Sequence, residues 1–397
     1  MKTSWLTRVA WTLAVLALAL LFAKGFVLDV YHVDTASMEP TILGREGGGE
    51  SVLVRYDRSP PKRFETLVVQ RPGEEAALVK RVAGLEREAV QIVEGDLFID
   101  GKRLAPDVPR PAPTPVFDQR WQTIEQAFRG LESANSPWKR AADVLELDAH
   151  AIPENASEGL LVYKQQVTDG YLTREHVLVE GENSANDLVI ECEFAAHQPE
   201  GRVRLGLSEA ADSFEACLAP RADGAQIVLT RNHGTETRET LATQKIALRS
   251  STGDSASSWH ALRFANIDNA LSLWLDGALV LRATYAENTF HPSDVLHEGK
   301  SFPPRAWLGG EGGRWSFRSI RLACDIYYTQ RGSQGTAHPL QLGPGQCFVL
   351  GDNSAESRDS REWGPLEYAE IRGRARWIVW PLSHLRQIPG AVYDTSP

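Results

Sequence analysis

The sequence lacks the residue patterns of several common chemistries. Its four cysteines, Cys192, Cys217, Cys324 and Cys347, stand far apart and form none of the CxxC spacings that zinc and dithiol redox sites use. They read as buried thiols or as one or two disulfides. The ten histidines include no HExxH and no His-x-His pair, so they read as surface or core residues and not as metal ligands. The glycine-rich GGEGG at Gly309 to Gly313 has no Lys-Ser/Thr after it and reads as a turn, not a phosphate cradle. Cationic residues are outnumbered, 42 Lys and Arg against 52 Asp and Glu, and a net charge of −10 provides no footprint for nucleic acid. Methionine is scarce, at two residues against eleven tryptophans, and most of those tryptophans lie beyond residue 120, where they suit a β-rich core. The N-terminal apolar run from Val9 to Ala23 falls short of the roughly 20 residues a bilayer span requires.

What is present starts at that run. Lys2 and Arg8 precede it, Lys24 interrupts it, and GFVLDVYHV extends it into the interfacial region, because a lysine near a helix end can snorkel to the headgroups. A cleaved signal peptide has the same outline. No convincing small-x-small cleavage site precedes Lys24, so a retained single anchor is expected, with the N-terminus cytoplasmic and the rest of the chain on the outer side of the cytoplasmic membrane. At 397 residues, 42% hydrophobic and 24% charged, the remainder is expected to form two folded units.

From Ser51 the chain reads as short, alternating, β-branched strands: SVLVRY, ETLVVQRP, ALVKRVAGL and EAVQIVEGDLFIDGKRL, with Asp100-Gly101 as a two-residue hairpin turn. The Pro-rich stretch from Ala105 to Phe117 reads as an extended linker. The next stretch has helical spacing, with Trp121, Ile124, Phe128 and Leu131 on one face. From about Leu160 to Thr329 many alternating strands separated by turn signals, Asp276-Gly277 among them, suggest a β-sandwich. Its WHALRFANIDNALSLWLDGALVLRATY run resembles the concanavalin-like, laminin-G-type jelly roll. After Gln341 the first kind of sequence resumes. The fold class is therefore mainly β: an N-terminal transmembrane helix and an antiparallel β catalytic domain, interrupted by an inserted jelly-roll-like sandwich. The expected segments are 1–30, cytoplasmic tip and anchor; 31–110, first part of the catalytic domain; 111–138, linker and helix; 139–330, inserted sandwich; and 331–397, second part of the catalytic domain.

Three stretches carry candidate chemistry: Thr35-Ala36-Ser37-Met38-Glu39-Pro40-Thr41, Leu78-Val79-Lys80-Arg81-Val82-Ala83-Gly84, and GDNSAESRDSREWG from Gly351 to Gly364. A serine hydroxyl is a weak nucleophile and requires a base. A lysine can be that base only if its amine is neutral near pH 7, and burial among apolar neighbours lowers its pKa by disfavouring the charged form. Lys80 sits in the apolar, strand-like AALVKRVAGL.

In this order the three stretches resemble type I signal peptidases, membrane-anchored serine endopeptidases that remove signal peptides. The resemblance covers about residues 1–104 and 341–382 and leaves the middle half unexplained. It implies Ser37 as nucleophile and Lys80 as general base, with the Ser37 N–H and the Thr35 hydroxyl as oxyanion donors. Met38 and Pro40 are implied to shape the turn and the pocket floor. Arg81, Asp352 and Asn353 fall in the same supporting motifs. Ser357 is implied to orient the lysine amine, and Asp359 and Arg361 to form a stiffening ion pair. Ser354 and Glu356 depart from the commoner Arg and Asn, a difference expected to alter the loop surface. The substrates implied are preproteins with small residues at positions −1 and −3, bound as an added strand at the membrane, with no metal or organic cofactor and no nucleic acid. A ligand for the sandwich is left unspecified. Two other classes fit parts of the sequence: a self-cleaving cytosolic repressor, which would lack the anchor, and a tethered glycan- or protein-binding module in which the peptidase part is scaffold.

Overall fold

The computed structural model describes residues 5, 9–14, 28–45, 47–57, 59–74, 76–106, 108, 110–133, 135–150, 152, 157–197, 200–209, 211–221, 224–233, 237–247, 259–286 and 306–389. The chain divides into two compact units. One comprises Met1–Leu104, Pro109–Pro111 and Tyr328–Val392, and the other Ala105–Val108, Ala112–Tyr327 and Tyr393–Pro397. Among the described residues no helix is long and apolar enough to cross a membrane. The expected anchor, residues 1–30, lies for the most part outside the described residues.

The first unit is built on an antiparallel sheet. Its strands run in the order Leu28–His32, Ser51–Arg55, Ile371–Trp380, Thr66–Val69, Leu78–Gly84, Gln346–Leu350 and Leu366–Glu367, and Arg386–Gln387 pairs with Ile371–Trp380. Sequence alternation sets the faces. Val52 and Val54 point into one core with Val68, Val79, Ala375 and Ile378, while Leu67, Val69, Val82 and Val349 point into another. Each fully buried valine, leucine or isoleucine among them contributes about 1.5–3 kcal/mol. A second, four-stranded sheet contains Ala89–Val93, Asp96–Ile99 and Lys102–Arg103. Its last two strands are joined by Asp100 and Gly101 at φ 52° and 73°, the doubly left-handed turn that a two-residue hairpin requires.

The second unit has two large antiparallel sheets that share one core. Ile190, Phe264, Leu273 and Phe317 come from one sheet, and Leu205, Phe214, Ile227 and Leu308 from the other. Two sheets over a common apolar layer make a β-sandwich. Trp138, Trp274, Trp307 and Trp315 are buried in this unit. All four cysteines are free and buried, so the disulfide alternative falls away, and burial pushes every thiol well above its usual pKa.

Two expectations are corrected here. The linker at residues 105–117 contains a strand, Thr114–Asp118, paired with Arg314–Cys324; Pro115 is accommodated at a register shift, where a ladder N–H is dispensable. The amphipathic stretch after it is helical only over Ile124–Ala127. Phe128 leaves the helix to pair with Tyr163, Gly130 adopts φ 121°, and Phe117, Phe128 and Tyr163 pack edge to face. Tertiary packing thus overrides the 3.6-residue pattern. Residues 112–138 consequently belong to the sandwich unit, which begins before the expected boundary at 139.

Candidate active site

Ser37 lies on a single 3₁₀ turn, Ala36–Met38, entered from Thr35 in an extended conformation (φ −119°, ψ 145°). The turn is pinned from below: Met38 and Ile42 are fully buried and pack with Val52, Val54 and Val79, while Pro40 is half-buried. The loop that follows is closed by Glu50, only 1% exposed. Its carboxylate accepts the Leu43 N–H at 2.9 Å, His384 Nδ1 at 2.8 Å and Arg386 Nη1 at 3.1 Å. Arg386 Nη2 also donates to the Thr41 carbonyl at 2.7 Å. Nothing in the sequence motifs singled out Glu50, His384 or Arg386, because a buried carboxylate after GREGGG looks like an ordinary polar loop residue.

Lys80 projects from the Leu78–Gly84 strand between Val79 and Arg81, both buried, and is itself 2% exposed. Its Nζ donates to Ser37 Oγ at 2.5 Å, and Thr35 Oγ1 lies 3.3 Å from the same oxygen. Desolvation is the largest influence on the amine and lowers its pKa; Asp359 and Asp352 raise it, Arg361 lowers it, and the outcome is a fall from 10.5 to about 8. Both nearby carboxylates are neutralised by buried arginines. Arg81 forks onto Asp352 (Nε–Oδ1 2.7 Å, Nη2–Oδ2 2.6 Å) and Arg361 onto Asp359 (Nε–Oδ1 2.8 Å, Nη2–Oδ2 2.8 Å). A bidentate fork holds each carboxylate's charge close to its partner, so burial dominates at Lys80.

The Gly351–Gly364 stretch supplies the remaining wall. The Asn353 N–H donates to the Ser37 carbonyl at 3.1 Å, which ties this loop to the serine turn. Asp359 accepts the Gly351 N–H at 3.0 Å and also caps the short Ser360–Trp363 helix. Gly351 is required by space, since a Cβ there would come within 2.3 Å of both the Ser37 carbonyl oxygen and Ser357 Oγ. Ser354, expected on the loop surface, is buried instead: its Oγ accepts from Arg361 Nη1 at 2.6 Å and from the Thr329 N–H at 2.8 Å. Ser357 is brought close to the turn, but its buried Oγ has no hydrogen-bond partner, so the hydrogen bond to Lys80 that its implied role requires is not formed in this structure. The structure therefore gathers Thr35, Ser37, Met38, Lys80, Arg81, Asp352, Asn353, Ser357, Asp359 and Arg361 in one unit, with the Ser37–Lys80 pair at its centre.

An antiparallel β unit with a buried serine hydroxyl held against a partly neutral lysine defines a class of serine-lysine sites. The profile described as "Signal peptidase, peptidase S26" matches residues 5–186 and 323–380, and the chain belongs to that family. It is 37% identical over 82 residues to signal peptidase I of Bacillus amyloliquefaciens, covering 21% of this chain and 43% of that protein. It is 44% identical over 57 residues to mitochondrial inner membrane protease subunit 1 of Xenopus tropicalis, covering 13% and 34%. The similarity to mitochondrial ATP-independent inner membrane protease subunit 1b of Arabidopsis thaliana is 54% over 37 residues, covering 9% and 22%. The chain thus spans less than half the length of these relatives. Among solved structures it is similar to a carbohydrate-binding module of Bacillus subtilis, at 11% identity and TM-score 0.30, covering 48% of this chain and 92% of that one. A Bacillus licheniformis beta-glucanase matches at 10% identity and TM-score 0.30, covering 56% and 94%.

Proposed function

We propose that this chain is a signal peptidase I, a serine endopeptidase that cleaves signal peptides from preproteins at the outer face of the cytoplasmic membrane. The observation that carries the reading is the 2.5 Å contact between Lys80 Nζ and Ser37 Oγ, made by an amine whose pKa has fallen to about 8. Once neutral, Lys80 takes the hydroxyl proton as Ser37 Oγ attacks the carbonyl carbon of the −1 residue. The resulting oxyanion is met by the Ser37 N–H and the Thr35 hydroxyl, each such donor being worth roughly 3–4 kcal/mol. Lys80 then passes its proton to the departing amide nitrogen as the C–N bond breaks, leaving an ester on Ser37. Water attacks the ester as Lys80 takes its proton, and Lys80 returns that proton to Ser37 Oγ as the acyl C–O bond breaks, which restores both the hydroxyl and the neutral amine.

The substrate is read as an extended segment with small residues at −1 and −3, added to the sheet beside Lys80. Among the described strands, Arg81 to Gly84 pair with Phe348–Leu350 on one side, while Leu78 to Lys80 pair only with Leu67–Val69 on the other, which leaves their second edge open for such a strand. The single-anchor reading is supported by residues 9–14, which are helical and expose Val9, Trp11 and Leu13. The sandwich is read as a concanavalin-like insertion between the two parts of the peptidase domain. A tethered binding module with an inert peptidase scaffold would suit a lysine distant from Ser37, and the 2.5 Å contact supports the enzyme instead.

The test is processing of a preprotein bearing alanine at −1 and −3 by the detergent-solubilised full chain. One cut after position −1 is expected, with none by Ser37→Ala; an intact preprotein, or normal processing by the alanine variant, overturns the reading.

A further inference from the structure

The seven-stranded sheet of the sandwich has an outer face that is polar where the inner face is apolar. Val203, Leu205 and Leu207 enter the core, so Arg202 and Arg204 of the same strand point outward; Phe214, Ala216 and Leu218 do likewise for Glu215, Cys217 and Ala219. A cavity of about 520 Å³ opens on this outer face, within the range of small-molecule sites. Its charged and polar lining is Arg202, Arg221, Arg238, Glu311 and Gln226, over a small apolar floor of Cys217, Ala219 and Val228.

Among the described lining residues, three arginines stand against one carboxylate, that of Glu311. Glu311 pairs with Arg202 and lies 3.6 Å from Arg204; Glu215 accepts from Arg204 at 2.9 and 2.6 Å and is 3.4 Å from Arg238. Arg221 is exposed, and its hydrogen bond among the described residues is to the Pro220 carbonyl, an uncharged acceptor. Arg204 Nη1, directly across the register from the floor residue Cys217, is buried without a hydrogen-bond partner. The backbone groups beneath the pocket are already engaged in the ladders of neighbouring strands. An extended peptide would therefore find no main-chain partners there, and recognition falls to side chains. Guanidinium forks suit a carboxylate, the Gln226 amide suits a hydroxyl, and the apolar floor suits the C–H face of a ring.

We propose that this pocket binds an acidic saccharide unit, a sugar ring carrying a carboxylate. The proposal goes beyond the peptidase reading and does not depend on it. Isothermal titration of the solubilised full chain with D-glucuronate, D-glucose, acetate and a tetraglutamate peptide tests it. Glucuronate is expected to bind at least about tenfold more tightly than each of the others, and Arg221→Gln to weaken it by at least about tenfold, the loss typical of one charged hydrogen-bonding group. Arg221 is exposed, so this variant is expected to retain the wild-type Tm. Val228→Trp, which fills the cavity from its floor, provides a second loss of binding by a different route. Glucuronate binding no tighter than glucose, equal binding of acetate or tetraglutamate, or binding unaffected by Arg221→Gln overturns the assignment.

Discussion

Lys80 Nζ lies 2.5 Å from Ser37 Oγ with both side chains buried, and the two aspartates nearest the lysine are each held by an arginine fork. That arrangement lets burial govern the lysine's protonation. A carboxylate without its arginine would hold the ammonium charged and leave Ser37 without a base.

Opposite shifts follow from the two halves of one ion pair. Arg361→Gln removes a charge that lowers the Lys80 pKa and frees Asp359, so the ascending limb of kcat/KM moves to higher pH. Asp359→Asn removes a charge that raises it, so the limb moves to lower pH. Each variant breaks a buried pair and loses about 3–5 kcal/mol of stability, read by denaturant unfolding. Loss of stability alone does not move two pH limbs in opposite directions, so the pH profiles separate electrostatics from damage.

Stability itself carries the lysine's signature. Between the folded pKa of about 8 and the ordinary 10.5, the unfolded chain binds a proton that the folded chain does not, so Lys80 makes wild-type stability rise with pH through that window. Lys80→Met lacks this slope. Its stability advantage over wild type is therefore largest at pH 7 and shrinks by about 3 kcal/mol by pH 10.5, as paired urea titrations at the two pH values would read.

Glu50 is predicted to position the serine turn through the loop it closes. Glu50→Ala leaves the Leu43 N–H and the Arg386 guanidinium without their acceptor, costing about 1–3 kcal/mol and lowering kcat more than it raises KM. Arg358→Ala serves as the contrast: its ion pair with Glu362 is solvent-exposed, with the arginine side chain 74% accessible, and both Tm and kinetics should stay at wild-type values.

Gly351→Ala tests the close approach of the two loops. The added methyl meets backbone at the Ser37 carbonyl, which cannot rotate away, so the serine turn must shift. Because misplacements of about 1 Å can cost roughly 100-fold in rate, a loss of that order in kcat is expected.

Local rules made much of the fold legible. The Asp100-Gly101 and Asp276-Gly277 turns join paired strands, because a doubly left-handed two-residue turn has few sequence solutions. The stretch from Trp121 to Leu131 misled because its period matched a helix, while Phe128 gains more from pairing with Tyr163 and packing on Phe117. Within the candidate site, Ser37, Lys80 and the Asp359–Arg361 pair were visible through motif order. The Arg81–Asp352 fork was not, although both residues stood in the motifs, since partners 271 positions apart meet only in the folded sheet. Glu50, Thr329 and Ser354 were invisible for a related reason: each is an ordinary polar residue until burial and an arginine give it a role.

The central claim is that Lys80 acts on Ser37 as a neutral base. It is tested most directly by the pH dependence of kcat/KM for preprotein cleavage by the wild-type chain. Activity is predicted to rise with pH along a single limb centred at about 8, the pKa to which burial lowers the Lys80 amine. A rate that stays level from pH 6 to 9, or a limb centred near the ordinary lysine value of 10.5, would contradict the account.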